Sequence, residues 1–171
     1  MKKIILIYGL ISGMIISAMI FITGAMYNYG TLSSGKGELI GYSTMVIALS
    51  LIFFGVKSYR DHHLQGNIKF GRALLVGISI AGVASLLYAI SWEINLKQFM
   101  PDFMDQYSSM AIAKAKEGGK SAAEIQQVID RINQTKEMYK NPFLRFTMTL
   151  VEIFPVGILI ALVSAAILRK K

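Results

Sequence analysis

A single carboxylate, Glu152, sits inside an apolar run, 143–168, whose central part carries no Lys or Arg. It lies nine residues beyond Phe143, about 13 Å along a helix axis at roughly 1.5 Å per residue. A carboxylate at that depth in hydrocarbon is costly and must face other helices or water. Pro155 follows three residues later; it has no N–H for the carbonyl of Val151, so a backbone acceptor is freed beside the carboxyl. Two chemistries fit: a proton or cation site, or a structural hydrogen bond that fixes helix packing. Arg145, two turns and about 10 Å before Glu152, shares roughly its face. Its guanidinium is expected to extend to the membrane interface. Glu93, beside Trp92 at the end of another apolar run, is placed to reach Arg145 across the bundle. Glu152, Pro155, Arg145 and Glu93 are therefore the candidate intramembrane polar site.

Other reactive groups carry less. His62 and His63 are the two histidines, but neighbours on a helix point about 100° apart, and Asp61 alone cannot complete a metal site. Cysteine is absent, which excludes disulfides and zinc–thiolate sites. Asn133-Gln134-Thr135 matches a glycosylation sequon, a three-residue pattern with meaning only in a glycosylating secretory system. No phosphate-binding glycine loop, Ser/His/Asp set or H-E-x-x-H motif occurs. No cofactor and no metal is expected, and the chain reads as non-enzymatic, since its polar groups do not converge.

The elements that must position these residues are four apolar stretches, Ile4–Tyr27, Leu39–Val56, Gly71–Trp92 and Phe143–Leu168. Each is close to the roughly 20 residues that span about 30 Å of hydrocarbon. Composition agrees: 54% of the 171 residues are hydrophobic and 16% charged, against about a quarter charged in soluble domains. The fold class is all-α, a four-helix transmembrane bundle forming one integral membrane domain. Could Ile4–Tyr27 be a cleaved signal? Lys2 and Lys3 precede it and Thr23-Gly24-Ala25 is a passable cleavage site, but the apolar run exceeds a signal core, so retention is expected.

The net charge of +8 is distributed as a membrane protein distributes it, not as a nucleic-acid binder would. Lys2, Lys3, Lys57, Arg60, Lys69, Arg72, Arg169, Lys170 and Lys171 all flank alternate ends of the spans. The positive-inside rule puts both termini and the Lys57–Arg72 loop in the cytoplasm. The Asn28–Glu38 loop, where Lys36 and Glu38 cancel, and the insert Glu93–Asn141, with seven charges of each sign, are then external.

Small residues recur every fourth position: Gly9, Gly13 and Ser17; Gly77, Ala81, Ser85 and Ala89; Gly157, Ala161 and Ala165. They share helix faces and permit close backbone approach. Packing inside the bundle is the plain expectation and a homodimer interface the sharper one. The insert, about 97–141, predicts a helical hairpin. Pro101 suits a first helical position, and Gly118-Gly119 breaks the helix. Ser121 and Glu124 have capping-box spacing. Ile125, Val128, Ile129 and Ile132 line one face, expected to cover Phe103, Tyr107 and Met110 or Ala111. Asn141-Pro142 closes this helix and opens the fourth span.

Tyr59-Arg60-Asp61, Gly66-Asn67-Ile68, Phe70-Gly71-Arg72-Ala73-Leu74 with Gly77, and Glu152-Ile153-Phe154-Pro155-Val156-Gly157 before a basic end together resemble a Bacteroidota family of small four-pass membrane proteins, a domain of unknown function (DUF4199-like). The resemblance covers nearly the whole chain. It implies an inner-membrane protein and no assigned activity. The partners expected are the lipid bilayer and a second copy or another membrane protein, with no nucleic acid. The first functional expectation is assembly; the alternative is a small transporter or channel subunit using Glu152.

Overall fold

A computed structural model describes residues 1–29 and 34–170. Among the described residues the elements are seven helices: α1 Lys2–Asn28, α2 Ser34–Leu49, α3 Leu51–His63, α4 Phe70–Phe99, α5 Phe103–Glu117, α6 Ala122–Lys140 and α7 Pro142–Leu168. The fold is all-helical, with four segments long and apolar enough to cross a membrane: Lys2–Tyr27, Leu39–His63, Phe70–Phe99 and Pro142–Leu168. α2 and α3 form one of these, interrupted only at Ser50. There the hydroxyl donates to the carbonyl of Ile47 at 2.6 Å, a side-chain bond that competes with the helical ladder.

The central helix is α4. Ala73, Val76, Ile80, Ala81, Ala84 and Ala89 are fully buried along it. Small residues set its contacts. A Cβ built at Gly9 would lie 2.6 Å from Val83 Cβ and at Gly13 2.9 Å from Leu87 Cβ, and one at Gly24 would run into Asn95 Oδ1. The rising register makes α1 and α4 parallel. On the other side Gly77 meets Ala161 and Gly157 meets Ala81, at 2.7 and 2.6 Å for the same construction. α7 is therefore antiparallel to α4. Ser17 accepts a hydrogen bond from Ser91 at 2.7 Å, and Ser85 is buried. The small-residue faces of Gly9, Gly13, Ser17, Gly77, Ala81, Ser85, Gly157 and Ala161 thus pack within the bundle.

The outward faces are apolar. Leu6, Ile47, Val151, Leu159 and Ile167 are each more than half exposed. In water such a continuous belt would promote association; in lipid it is the expected surface. The Lys170 N–H donates to the carbonyl of Ile68 at 3.1 Å, so the C-terminus sits at the α3–α4 turn. Parallel α1 and α4 place the N-terminus at that same end.

Several element ends differ from the sequence expectation. The second span continues past Val56 to His63, because Ile52, Val56 and Tyr59 keep one buried face going. The turn is therefore Leu64–Lys69, with Gln65 and Gly66 at positive φ and the Gly66 N–H bonded to the Arg60 carbonyl. The third span runs on from Trp92 to Phe99, since Asn95 and Leu96 remain buried. Glu93 is consequently a helical residue and not the start of a loop. Between α1 and α2 the expected Asn28–Glu38 loop contracts, as α2 begins at Ser34; residues 30–33 and the side chains of Lys36 and Glu38 lie outside those described.

α5 and α6 pack on one another, joined by a turn in which Gly119 takes φ +71°. Pro101 lies in the turn before α5, which starts at Phe103. Ser121 and Glu124 form the capping box: the Ser121 N–H donates to the Glu124 carboxylate at 2.9 Å and the Glu124 N–H to the Ser121 hydroxyl at 3.3 Å. The buried residues here are Ser108, Ala115 and Ile132, whereas Tyr107 stays exposed. The Asn141 side chain accepts from the N–H groups of Phe143 and Leu144, and Pro142 opens α7.

Candidate functional site

Where α4 leaves the bundle, its face carries Tyr88 and Trp92 at i, i+4 spacing, followed by Glu93. Residues at that spacing lie one above the other. Trp92 donates its indole N–H to the Tyr139 hydroxyl at 3.1 Å. Phe103 meets the Trp92 ring edge-on at 5.3 Å and stacks on Tyr139 at 6.0 Å. This cluster ties the α5–α6 pair down onto α4.

Beside it Arg145 and Glu93 form a fork. Arg145 Nε reaches Glu93 Oε1 at 2.7 Å and Nη2 reaches Oε2 at 2.5 Å, while Nη1 donates to the Tyr139 carbonyl at 2.9 Å. The side chains are only 14% and 18% exposed. Glu93 thus reaches Arg145 across the bundle, and a carboxylate one helix away satisfies the guanidinium's donors. The Tyr139 phenol is held above its ordinary pKa first by burial, opposed by the hydrogen bond from Trp92, with the charge of Glu152 adding to the rise. It therefore stays a neutral hydroxyl over the whole physiological range.

Under this latch is a cavity of about 430 Å³. Its walls come from α1, α2, α4, α5, α6 and α7, and α7 contributes Glu152. Tyr42, Tyr88, Trp92, Tyr107 and Tyr139 line it, with methionines from α1, α2 and α5. The volume falls in the usual range of small-molecule pockets, about 300–1,000 Å³. Tyr88 and Tyr139 line the same cavity as Glu152.

The structure thus joins Glu93 with Arg145 and puts Glu152 elsewhere, on the cavity wall. Pro155 lies on the exposed side of α7, which runs on through it. The two histidines diverge. His62 Nδ1 lies 3.0 Å from the Ser58 carbonyl, and His63 stacks on Tyr59. Among the described residues no group of three or more His, Cys, Asp or Glu side chains could hold a metal.

Two features escaped the sequence. Asn95 is buried with its amide nitrogen 3.4 Å from the Met100 sulfur and its Oδ1 without a hydrogen-bond partner, pressed against Gly24. The aromatic lining drawn from five helices is the other. Its available signal was the Tyr88–Trp92 spacing followed by Phe103 and Tyr107, which repeats one helical face.

A family model matches residues 7–170, almost the whole chain. The chain belongs to the family described as "Protein of unknown function (DUF4199)". The match spans all four apolar helices and the α5–α6 pair, so the cavity lies wholly within the family's domain. No curated protein and no solved structure matches it.

Proposed function

We propose that this is a non-enzymatic membrane protein of the inner membrane that takes a small amphipathic molecule into the cavity beneath α5–α6, as a transporter or receptor subunit. One observation carries the reading: the carboxylate placed deep in an apolar helix, Glu152, is on the cavity wall. Intramembrane carboxylates mark substrate or ion pathways, and a pocket of this size with few polar groups is the usual form of a ligand site. Assembly through the small-residue faces has less support, because those faces are filled from within the chain. In this reading both termini and the Leu64–Lys69 turn face the cytoplasm, supported by the basic residues gathered at that end. The α5–α6 pair then covers the cavity on the external side.

The test uses Gly41, which lines the cavity and whose built Cβ meets no atom within 4 Å. Gly41→Trp adds bulk at the cavity wall, at an exposed position. Purified protein in detergent micelles is screened by thermal shift against small amphipathic molecules. Ligand at about 100 times its Kd stabilises by about 2.7 kcal/mol. Hits that raise the Tm of the wild type and leave Gly41→Trp unmoved support the cavity as the working site. A screen without hits, or hits shifting both proteins equally, overturns it.

A further inference from the structure

Charge is divided unequally between the two ends of the bundle. Residues 1–3, 57–72 and 169–171 carry nine basic side chains and one acidic one, Asp61. The rest of the sequence is neutral, so the whole net charge of +8 belongs to these three segments. The fold gathers them. α1 and α4 start at the same end, and the Lys170 N–H donates to the carbonyl of Ile68 at 3.1 Å, which ties the end of α7 to the α3–α4 turn. Asp61 is engaged by Arg60, whose Nε donates to it at 2.7 Å.

Orientation in the membrane accounts for a bias of Lys and Arg toward short loops. It does not require that they converge on one corner, nor that a guanidinium be held in place there. Arg72 is exposed, and its Cζ lies 6.0 Å from the centre of the buried Tyr59 ring. His63 stacks on the same ring at 5.3 Å. A guanidinium attracted to a ring face is partly ordered already, so less freedom is lost when it binds. Lys69, just before α4, is exposed, as are Arg169 and Lys170 at the end of α7. Phe70, Leu75 and Ile167, on the same ends of α4 and α7, are exposed and apolar. Concentrated positive charge bordering exposed apolar side chains matches a molecule with an anionic head and acyl tails. A guanidinium meets two phosphate oxygens at once, while a lysine supplies a point charge. A free phosphate or a nucleic acid would use the charges and leave the apolar border unused.

We infer that this corner, made by the α3–α4 turn and the end of α7, binds an anionic phospholipid, its phosphate held by Arg72 with Lys69, Arg169 and Lys170 around it and its acyl chains along Phe70, Leu75 and Ile167. The site lies at the end of the bundle away from the cavity and does not depend on it.

Full-length protein in neutral micelles is titrated with dioleoylphosphatidylglycerol, with zwitterionic dioleoylphosphatidylcholine and with glycerol 3-phosphate, and native mass spectrometry counts the molecules retained. A basic residue near an anionic lipid contributes about fivefold, so phosphatidylglycerol is retained at least about tenfold more tightly than phosphatidylcholine, and Lys69→Gln with Arg72→Gln lowers that preference by about tenfold or more. Glycerol 3-phosphate is not retained. Lys114→Gln with Lys116→Gln removes the same charge from exposed positions on α5 and leaves the preference unchanged. Equal retention of the two lipids overturns the inference. Equal loss in both double variants also overturns it, since net charge and not a site would then set the preference. Glycerol 3-phosphate bound as tightly as the lipid overturns it in favour of a free-phosphate site. Should Lys69→Gln with Arg72→Gln not fold, Arg169→Gln with Lys170→Gln takes its place under the same criteria.

Discussion

At the residue scale, the arrangement of charge is the most informative part of the molecule. Polar groups inside apolar helices are rare enough that Glu152, Arg145 and Glu93 could be picked from the sequence on cost alone. Which of them would touch was another matter. Arg145 and Glu152 share a face on one helix but lie two turns apart, whereas Glu93 is held in helical geometry to reach Arg145 because α4 runs seven residues past the apolar run that ended at Trp92. Tyr88, Tyr139 and Asn95 gave no comparable signal, since an aromatic ring or an amide is ordinary near a span end and only the helix crossing brings them together. The fork makes a clear prediction. Removing one partner leaves the other charged and half-enclosed, which costs about 2–4 kcal/mol. Arg145→Ala and Glu93→Ala should each lower the thermal stability of the protein in micelles by that order. The double variant should lose less than their sum, with a coupling of about 1–3 kcal/mol. Strict additivity would show that the pair contributes nothing as a pair.

At the element scale, four spans were legible because their length and lack of charge admit few other readings, and the cap residues Ser121, Glu124 and Asn141 act where their spacing put them. The span ends were less legible, because tertiary burial of Tyr59 and Asn95, not local composition, decides how far each helix continues. The glycines illustrate the same dependence. Their spacing announces close packing without saying against what. Gly77→Ala places a Cβ 2.7 Å from that of Ala161, with backbone behind it, so α4 and α7 must separate. A loss of about 1–3 kcal/mol is expected in micelles. Adding Ala161→Gly removes the facing methyl and should recover part of that loss; no recovery would mean that the helices have shifted elsewhere. The α6 cap carries a pH dependence. The Ser121 hydroxyl, then its N–H, holds the Glu124 carboxyl below the ordinary carboxylate range. A depressed folded pKa gives stability that is complete above the unfolded value, about 4.3, and lost as pH falls through the folded one. Amide exchange in the first turn of α6 should therefore rise, relative to that of α5, as acid is added below about pH 4.3, and Glu124→Gln should remove that dependence.

At the scale of the whole molecule, the bundle has two chemically distinct ends. Basic residues, both termini and the α3–α4 turn gather at one; the aromatic latch, the cavity and the α5–α6 pair occupy the other. The antiparallel register of α4 and α7 forces this, since residues 100–141 must leave and re-enter at the same end. A cavity that opens at one end of a bundle has a direction only once that end is assigned to a side of the membrane. The absence of cysteine makes the assignment measurable with single substitutions at exposed lysines. In right-side-out spheroplasts, a membrane-impermeant maleimide should label Lys120→Cys without lysis. Lys69→Cys and Lys170→Cys should label only after the membrane is opened. The reverse pattern would turn the cavity toward the cytoplasm, and the lysines and arginines at the opposite end would then violate the charge bias that orients short loops. Labelling of Lys69→Cys and Lys170→Cys from different sides would contradict the fold itself, because the Lys170 N–H and the Ile68 carbonyl are hydrogen-bonded.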